Sequence, residues 1–239
     1  MLTAQMLCQN QLLAVLPEEE RTRLAHDMKL VSLSLDQSLY EPGCQIRHVY
    51  FPTSAIVSLR YELENGSLAE IAVVGREGVV GIALFMGGET TLSRSVVEKS
   101  GQAFQLEGYL LKREFHRAGP MQRILMRYTQ ASLTEMAQTL VCIRHHSLDQ
   151  QLCRWLLRRF ERFPHNSLMM SQEKIANILG VRRGAISEVA VRLQKAALIS
   201  YNRGRITLLD RHGMEMRSCE CYAIVRDEFD RLLTKATIS

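Results

Sequence analysis

The stretch SQEKIANILGVRRGAISEVAVRLQKAALISYNRGRITLLD, residues 171–210, decides the fold. Ser171 is a good N-cap, and Gln172 and Glu173 follow in the first turn of a short helix carrying Ile175, Ala176 and Leu179. Gly180 stops that helix. A second begins near Arg182, with Ile186, Val189, Ala190 and Leu193 at i, i+3, i+4 and i+7 as an inward stripe. Arg183, Gly184, Ser187, Glu188, Val191 and Lys195 are left facing outward. Two β-prone runs, Leu198 to Tyr201 and Arg205 to Leu209, then flank Asn202, Arg203 and Gly204, a turn suited to a hairpin. Two helices joined by a short glycine-containing turn and followed by a basic hairpin make a winged helix-turn-helix.

Charge agrees with that reading. The chain has 239 residues and a formal net charge of +5, yet residues 147–209 hold 11 basic against 4 acidic side chains, while residues 1–118 hold 11 against 14. A basic module beside a slightly acidic one suggests a polyanion partner for the first alone, with a solvated basic surface as the competing reading of the charge by itself; with the winged helix inside it, the expected partner is duplex DNA. The expected DNA-contacting residues are Arg182, Arg183, Gly184, Ser187, Glu188, Lys195, Arg203 and Arg205.

Upstream of this module, Asp149 to Phe163 reads as a helix with Leu152, Leu156 and Phe160 on one face. Its Arg158, Arg159 and Arg162 suit either phosphate contacts or a solvated face. Pro120 opens the longest unpunctuated helical run, Met121 to His146, with apolar stripes on two sides. Met126, Thr129, Leu133, Met136, Leu140 and Ile143 form one stripe. Leu125, Thr129, Ser132, Met136, Thr139 and Ile143 form the other, which is the expected homodimer interface. Residues 31–111 change texture to short β-prone runs, VSLSL, HVYF, AIVSLRYEL, AEIAVV, GIALF, SRSVVEKS and QAFQL, broken by turns at EPG (41–43), ENG (64–66), GREG (75–78) and GG (87–88), as in a small β-roll or jelly roll. Before it, Leu24, Met28 and Val31 follow Pro17 and three glutamates at helical spacing. The expected fold is α+β: a β-roll over 1–118, a long dimerisation helix over 119–146, and a winged helix-turn-helix with a C-terminal helical extension over 147–239.

The N-terminus lacks the layout of a secretory signal, and no run approaches the roughly 18 apolar residues of a membrane span. Six scattered cysteines in a chain of this length read as reduced thiols of a cytoplasmic protein. Cys219 and Cys221, two apart, point to nearly opposite faces if helical. Cys142, His145 and His146 share a helix face at metal-ligand spacing, but no fourth ligand is evident, so no metal and no cofactor is expected. A metal- or thiol-based redox sensor or enzyme centred on those three residues is the rival from another class. An effector-independent architectural DNA-binding protein is a second. No catalytic residue is expected, because neither a Ser/His/Asp set, a P-loop nor a carboxylate pair stands out.

In the order β-roll, long helix, winged helix, residues 11–209 resemble the Crp/Fnr family of bacterial transcription regulators. The most specific part is SQEKIANILGVRRGAISEVAVRLQKAALIS, with its Gly-turn-Arg run and the Leu-Ile before the wing; ILMR at 124–127 is also similar. The resemblance implies a homodimer reading a two-fold symmetric duplex operator with its second helix in the major groove, RNA polymerase as a further partner, a small anionic effector in the β-roll and no membrane partner. Arg183 matches the family's first recognition arginine, while Gly184 stands in place of its glutamate and Glu188 in place of its second arginine, which implies a different operator. In the sensor, Gly78, Gly81, Arg94, Ser95 and Thr139 match pocket positions. GVVG at 78–81 has no carboxylate, however, and Leu140 replaces a serine, so the pocket diverges from the cyclic-AMP type. Arg94 suits a phosphate or a neighbouring carboxylate; the glycines suit a phosphate cradle or simply the φ > 0 of tight corners. Cys8 alone cannot supply an iron–sulfur cluster.

Overall fold

The computed structural model describes residues 2–64, 66 and 68–234. The chain divides into two compact units, one built from the N-terminus to Glu62, Glu70–Leu133 and a stretch from Phe229, the other from Leu63–Ala69 and Thr134–Glu228.

The first unit opens with three short helices: α1 (Ala4–Leu7), α2 (Gln11–Ala14) and α3 (Glu18–Asp27). Asn10 caps α2 by accepting from the Leu12 and Leu13 amides, and its Nδ2 donates to the carbonyls of Pro52 and Gly78. Three glutamates in the first turn of α3 favour its positive end. The helical spacing of Leu24, Met28 and Val31 extends too far: Met28 is the extended C-cap, and Val31 lies in β1 (Lys29–Leu33). There follow β2 (Ser38–Tyr40), β3 (His48–Pro52), β4 (Ile56–Glu62), β5 (Leu68–Val74), β6 (Arg94–Lys99) and β7 (Gly101–Glu107). They form two sheets, β1-β7-β3 and β2-β6-β4-β5. Val49, Phe51, Val57, Val97, Phe104 and Leu106 are buried in this unit. Each such side chain contributes about 1.5–3 kcal/mol by leaving water.

The run GIALF is not a strand. Gly81 enters it at φ 106°, a left-handed conformation that wraps Ile82–Leu84 into a short 3-10 turn. The ENG turn includes Asn65, which lies outside the described residues. A helix that β-prone texture hid, α4 (Gly108–His116), follows β7, and then comes α5 (Pro120–His145), 26 residues long and therefore roughly 39 Å.

In the second unit α6 (Leu148–Arg162) starts at a reciprocal capping box between Ser147 and Gln150. Then come β8 (Ser167–Met169), α7 (Gln172–Leu179), α8 (Arg183–Lys195), β9 (Ile199–Asn202), β10 (Arg205–Leu208), α9 (Arg211–Arg217) and α10 (Cys221–Leu233), with sheet order β8-β10-β9. Leu152, Leu156, Phe160, Ile175, Ile186, Val189, Leu193 and Ile206 meet in one core. The arginines of α6 follow neither sequence reading. Arg158 and Arg159 are buried. Arg158 donates to Glu135 at 3.0 Å and to Glu161 at 2.5 Å, Arg162 reaches Glu135 at 3.3 Å, and the Arg159 guanidinium lies 4.7 Å from the Trp155 ring centroid. Through Glu135, the Arg158 and Arg162 guanidinium groups tie α5 to α6.

Candidate nucleic-acid interface

Gly180 ends α7 in the left-handed conformation at φ 67°, and the chain re-enters a helix after Arg182, the N-cap of α8. Ile186, Val189, Ala190 and Leu193 turn inward, as their spacing requires. Arg182, Arg183, Gly184, Glu188, Val191 and Lys195 are exposed along the opposite face, and Ser187 is half-buried because its hydroxyl donates to the Gln172 side chain and to the Arg183 carbonyl.

The wing is a tight hairpin. Arg203 and Gly204 take φ values of 49° and 79°, the paired left-handed residues of a two-residue turn whose twist matches the strands it joins. Arg203 thereby stands at the hairpin tip, with Arg205 exposed beside it. Tyr201 donates to the Met170 carbonyl at 2.8 Å, tying β9 to the strand before α7. Ser171, Gln172, Glu173, Arg183, Tyr201, Arg203 and Gly204 line one open groove between α7, the head of α8 and the wing. Arg183 lies 4.0 Å from Glu173, both highly exposed, so the contact leaves the guanidinium free to turn to another acceptor.

Charge on α8 is sorted into two classes that sequence alone did not separate. Arg192 donates to both carboxylate oxygens of Asp149, and Arg217 reaches the same group at 3.2 Å. Hydrogen bonds from Arg192, then from Arg217, hold the Asp149 carboxyl below its usual range. Arg192 is thus an anchor of α8 to α6, whereas Arg182, Arg183 and Lys195 make no such contact with a half-buried carboxylate among the described residues.

The long helix requires a correction. Leu125 and Thr129 are buried in the chain's own unit, and the Thr129 hydroxyl donates to the Leu125 carbonyl. Ser132, Met136 and Thr139 are half-buried, and Ile143 alone of the expected interface set is exposed. The exposed apolar residues lie one step around the helix: Met126 at 56%, Leu133 at 55% and Leu140 at 71%. Spaced seven residues apart, they fall on one face of the helix.

The expected pocket residues are largely engaged already. A Cβ on Gly78 would lie 2.3 Å from the Tyr128 hydroxyl, and one on Gly81 would lie 2.7 Å from that of Tyr40, which donates to the His48 and Val80 carbonyls. These glycines are therefore required by aromatic neighbours. Val79 and Ser95 are buried, and Arg94 pairs with Glu41 at 3.1 Å. Inside the β4-β5-β6 sheet Ser58 donates to Glu70 at 2.6 Å and Arg60 to Ser58 at 2.8 Å, a polar set that satisfies itself. Thr139 belongs to the second unit, where its hydroxyl donates to the Glu135 carbonyl and accepts from Arg154. His145 is exposed, apart from the buried Cys142. Among the described residues no helix is long and apolar enough to cross a membrane.

Comparison with known proteins agrees with this geometry. Residues 150–217 match the model of the Crp-like helix-turn-helix domain. No curated protein matches the chain in sequence. Among solved structures, FixK2 from Bradyrhizobium japonicum is 15% identical with a TM-score of 0.70, covering 80% of this chain and 98% of its own. A transcriptional regulator of the Crp/Fnr family from Eubacterium rectale is 16% identical with a TM-score of 0.68, covering 87% and 97%. A CRP-family transcriptional regulator from Thermus thermophilus is 20% identical with a TM-score of 0.64, covering 79% and 96%.

Proposed function

We propose that this chain, which has the Crp/Fnr fold and carries a Crp-like helix-turn-helix domain, is a homodimeric, sequence-specific transcription regulator of the bacterial cytoplasm that acts with RNA polymerase. The observation that carries the reading is the groove between α7, the head of α8 and the wing, with Arg183 and Arg203 on its walls and Arg182, Lys195 and Arg205 exposed around it. A helix presented by its N-terminal end suits the major groove, and a basic hairpin tip beside it suits the flanking backbone. The seam of Met126, Leu133 and Leu140 pairs two copies, so the operator is two-fold symmetric with half-sites about one helical turn, roughly 34 Å, apart.

Arg183 reads a base edge, most simply guanine O6 and N7, which accept both arms of a guanidinium. Arg183→Ala is expected to cost about 1–3 kcal/mol on the specific site and to relax preference at one position of each half-site. Arg203→Ala and Arg205→Ala weaken all sequences alike and flatten the dependence on salt, because a phosphate contact releases counterions without reading sequence. Equilibrium titrations on specific and random duplexes test both; equal loss on the two duplexes for Arg183→Ala overturns the base contact.

The β-roll serves as the sensor domain of this reading, for a small anionic effector other than cyclic AMP in its usual pose. Val79 and Gly81 supply no side-chain acceptor for a ribose hydroxyl. A ribose hydroxyl left unpaired at about 1–3 kcal/mol weakens binding by about one to two orders of magnitude. Calorimetry with submillimolar cyclic AMP is expected to show no measurable heat. A heat abolished by Arg94→Ala would contradict the divergence.

A further inference from the structure

The C-terminal end of α5 and the link between α9 and α10 converge on a second constellation, independent of the DNA-reading surface. Cys142 and His146 are four residues apart on α5 and share a face. Cys219 and Cys221 lie where the chain leaves Ser218, the extended C-cap of α9, and enters α10 at Cys221. Because Cys219 precedes the helix, the opposed directions of residues two apart within a helix do not apply. Both thiols turn toward α5.

The distances are those of a coordination shell. Cys142 Sγ lies 3.5 Å from Cys219 Sγ, and Cys221 Sγ lies 3.7 Å from His146 Nδ1. All four ligand atoms lie within 4.8 Å of one another. With Zn–S about 2.3 Å and Zn–N about 2.0–2.1 Å, the edges of a tetrahedral site are about 3.8 Å between sulfurs and about 3.6 Å from sulfur to nitrogen. Both separations fall within a few tenths of an ångström of those edges. The sulfur pair is also well beyond the roughly 2.05 Å of a disulfide.

The surroundings fit an ion as well. Glu220 Oε1 lies 3.3 Å from His146 Nε2, so the outer ring nitrogen has a carboxylate acceptor and Nδ1 is left to ligate, the usual support of a metal-bound histidine. Cys142, Cys219 and Cys221 are 1%, 4% and 1% exposed, and thiols are weak hydrogen-bonding partners for one another. Arg154 is buried, donates through Nη2 to Thr139, and has an Nε with no hydrogen-bond partner among the described residues. Three thiolates, a dication and this guanidinium sum to a neutral buried set.

We propose that Cys142, His146, Cys219 and Cys221 form a closed tetrahedral site for a zinc ion, which ties the end of the long helix to the segment after the winged helix. Four protein ligands and deep burial leave no open coordination position, so the role is structural. Loading exchanges three thiol protons, released to solvent, for the ion, and the ion closes a span of 77 residues between Cys142 and Cys219.

The test is metal analysis of the full-length protein, purified under reducing conditions without a metal-affinity step. One zinc ion per chain is expected, either as purified or after anaerobic reconstitution. Cobalt substituted for it should give intense visible bands of a tetrahedral site together with thiolate charge-transfer absorption. Cys221→Ser and His146→Ala lose the stoichiometric ion, whereas Cys153→Ser, a buried thiol outside the cluster, keeps it. Glu220→Gln retains all four ligands and weakens affinity by about 10–100-fold. Because loss of a ligand can also unfold the domain, the wild type is read directly with a thiol-specific mercurial, which should release the ion to a chromogenic chelator. Wild-type protein that takes up neither zinc nor cobalt, or that carries a Cys142–Cys219 disulfide when analysed without reduction, overturns the proposal.

Discussion

Replacing Leu133 and Leu140 together by Glu is expected to leave the protein monomeric and to lower its affinity for operator DNA by about two to four orders of magnitude. Both leucines are more than half exposed on α5, one heptad apart, and Met126 extends the stripe by another heptad. In a parallel seam each meets its own copy, so the double variant sets like charges against one another in a site leaving water. The second half-site then binds as a separate event and loses the effective concentration that linkage provided, typically about 10²–10⁴-fold in avidity. Light scattering and titration of a two-half-site duplex measure both effects. A monomeric wild type, or a dimer unchanged in the double variant, contradicts the seam.

A second large effect is expected from Glu135→Gln. Glu135 is the only acidic residue of 119–146, and it faces Arg158 and Arg162 of α6. Burial opposes its charge, but the charges of Arg158 and Arg162 outweigh burial and hold its carboxyl at about 2. A depressed carboxylate stabilises the fold fully above its ordinary value near 4.5 and loses that contribution as pH falls through about 2. The shift corresponds to about 3 kcal/mol. The neutral amide removes the shared counter-charge from two buried guanidinium groups, at a cost of about 3–5 kcal/mol. For a unit of this size that lowers Tm by more than about 10 °C at pH 7, and the difference between variant and wild type should shrink below pH 4.5. Thermal unfolding followed by circular dichroism across that range is the measurement. An unchanged Tm at neutral pH would show that the cluster contributes nothing net.

The winged helix was legible because its signals are local and redundant. Ser171 caps, Gly180 stops, Ile186 to Leu193 repeats at helical spacing, and Asn202-Arg203-Gly204 turns the hairpin; each feature is set by neighbours in sequence. What depended on tertiary contact was not legible. The long helix carries apolar residues on two sides, and periodicity cannot say which side meets the chain's own core, so the sequence pattern places Leu125 and Thr129 at a partner although they are buried within the chain's own unit. The α6 arginines read as a basic surface because Glu135, the counter-charge of Arg158 and Arg162, lies on α5, more than 20 residues earlier in the chain. A signal was present in the single acid of an otherwise apolar and basic helix preceding four arginines. Cys142 and Cys219 are 77 residues apart, and the two-residue spacing of Cys219 and Cys221 misleads if the helix is assumed to start early. GIALF has strand composition, and the positive φ of Gly81 overrides it.

The central claim, that this chain reads a symmetric duplex site through α8 and the wing, is tested most directly by selecting bound sequences from random double-stranded DNA with the full-length protein. The expected result is a single enriched motif with two-fold symmetry, half-sites about one helical turn apart, and binding about 10³–10⁷-fold tighter than to unselected duplex at the same salt concentration. Recovery of no common motif, or of fragments bound no more tightly than the starting pool, would contradict it.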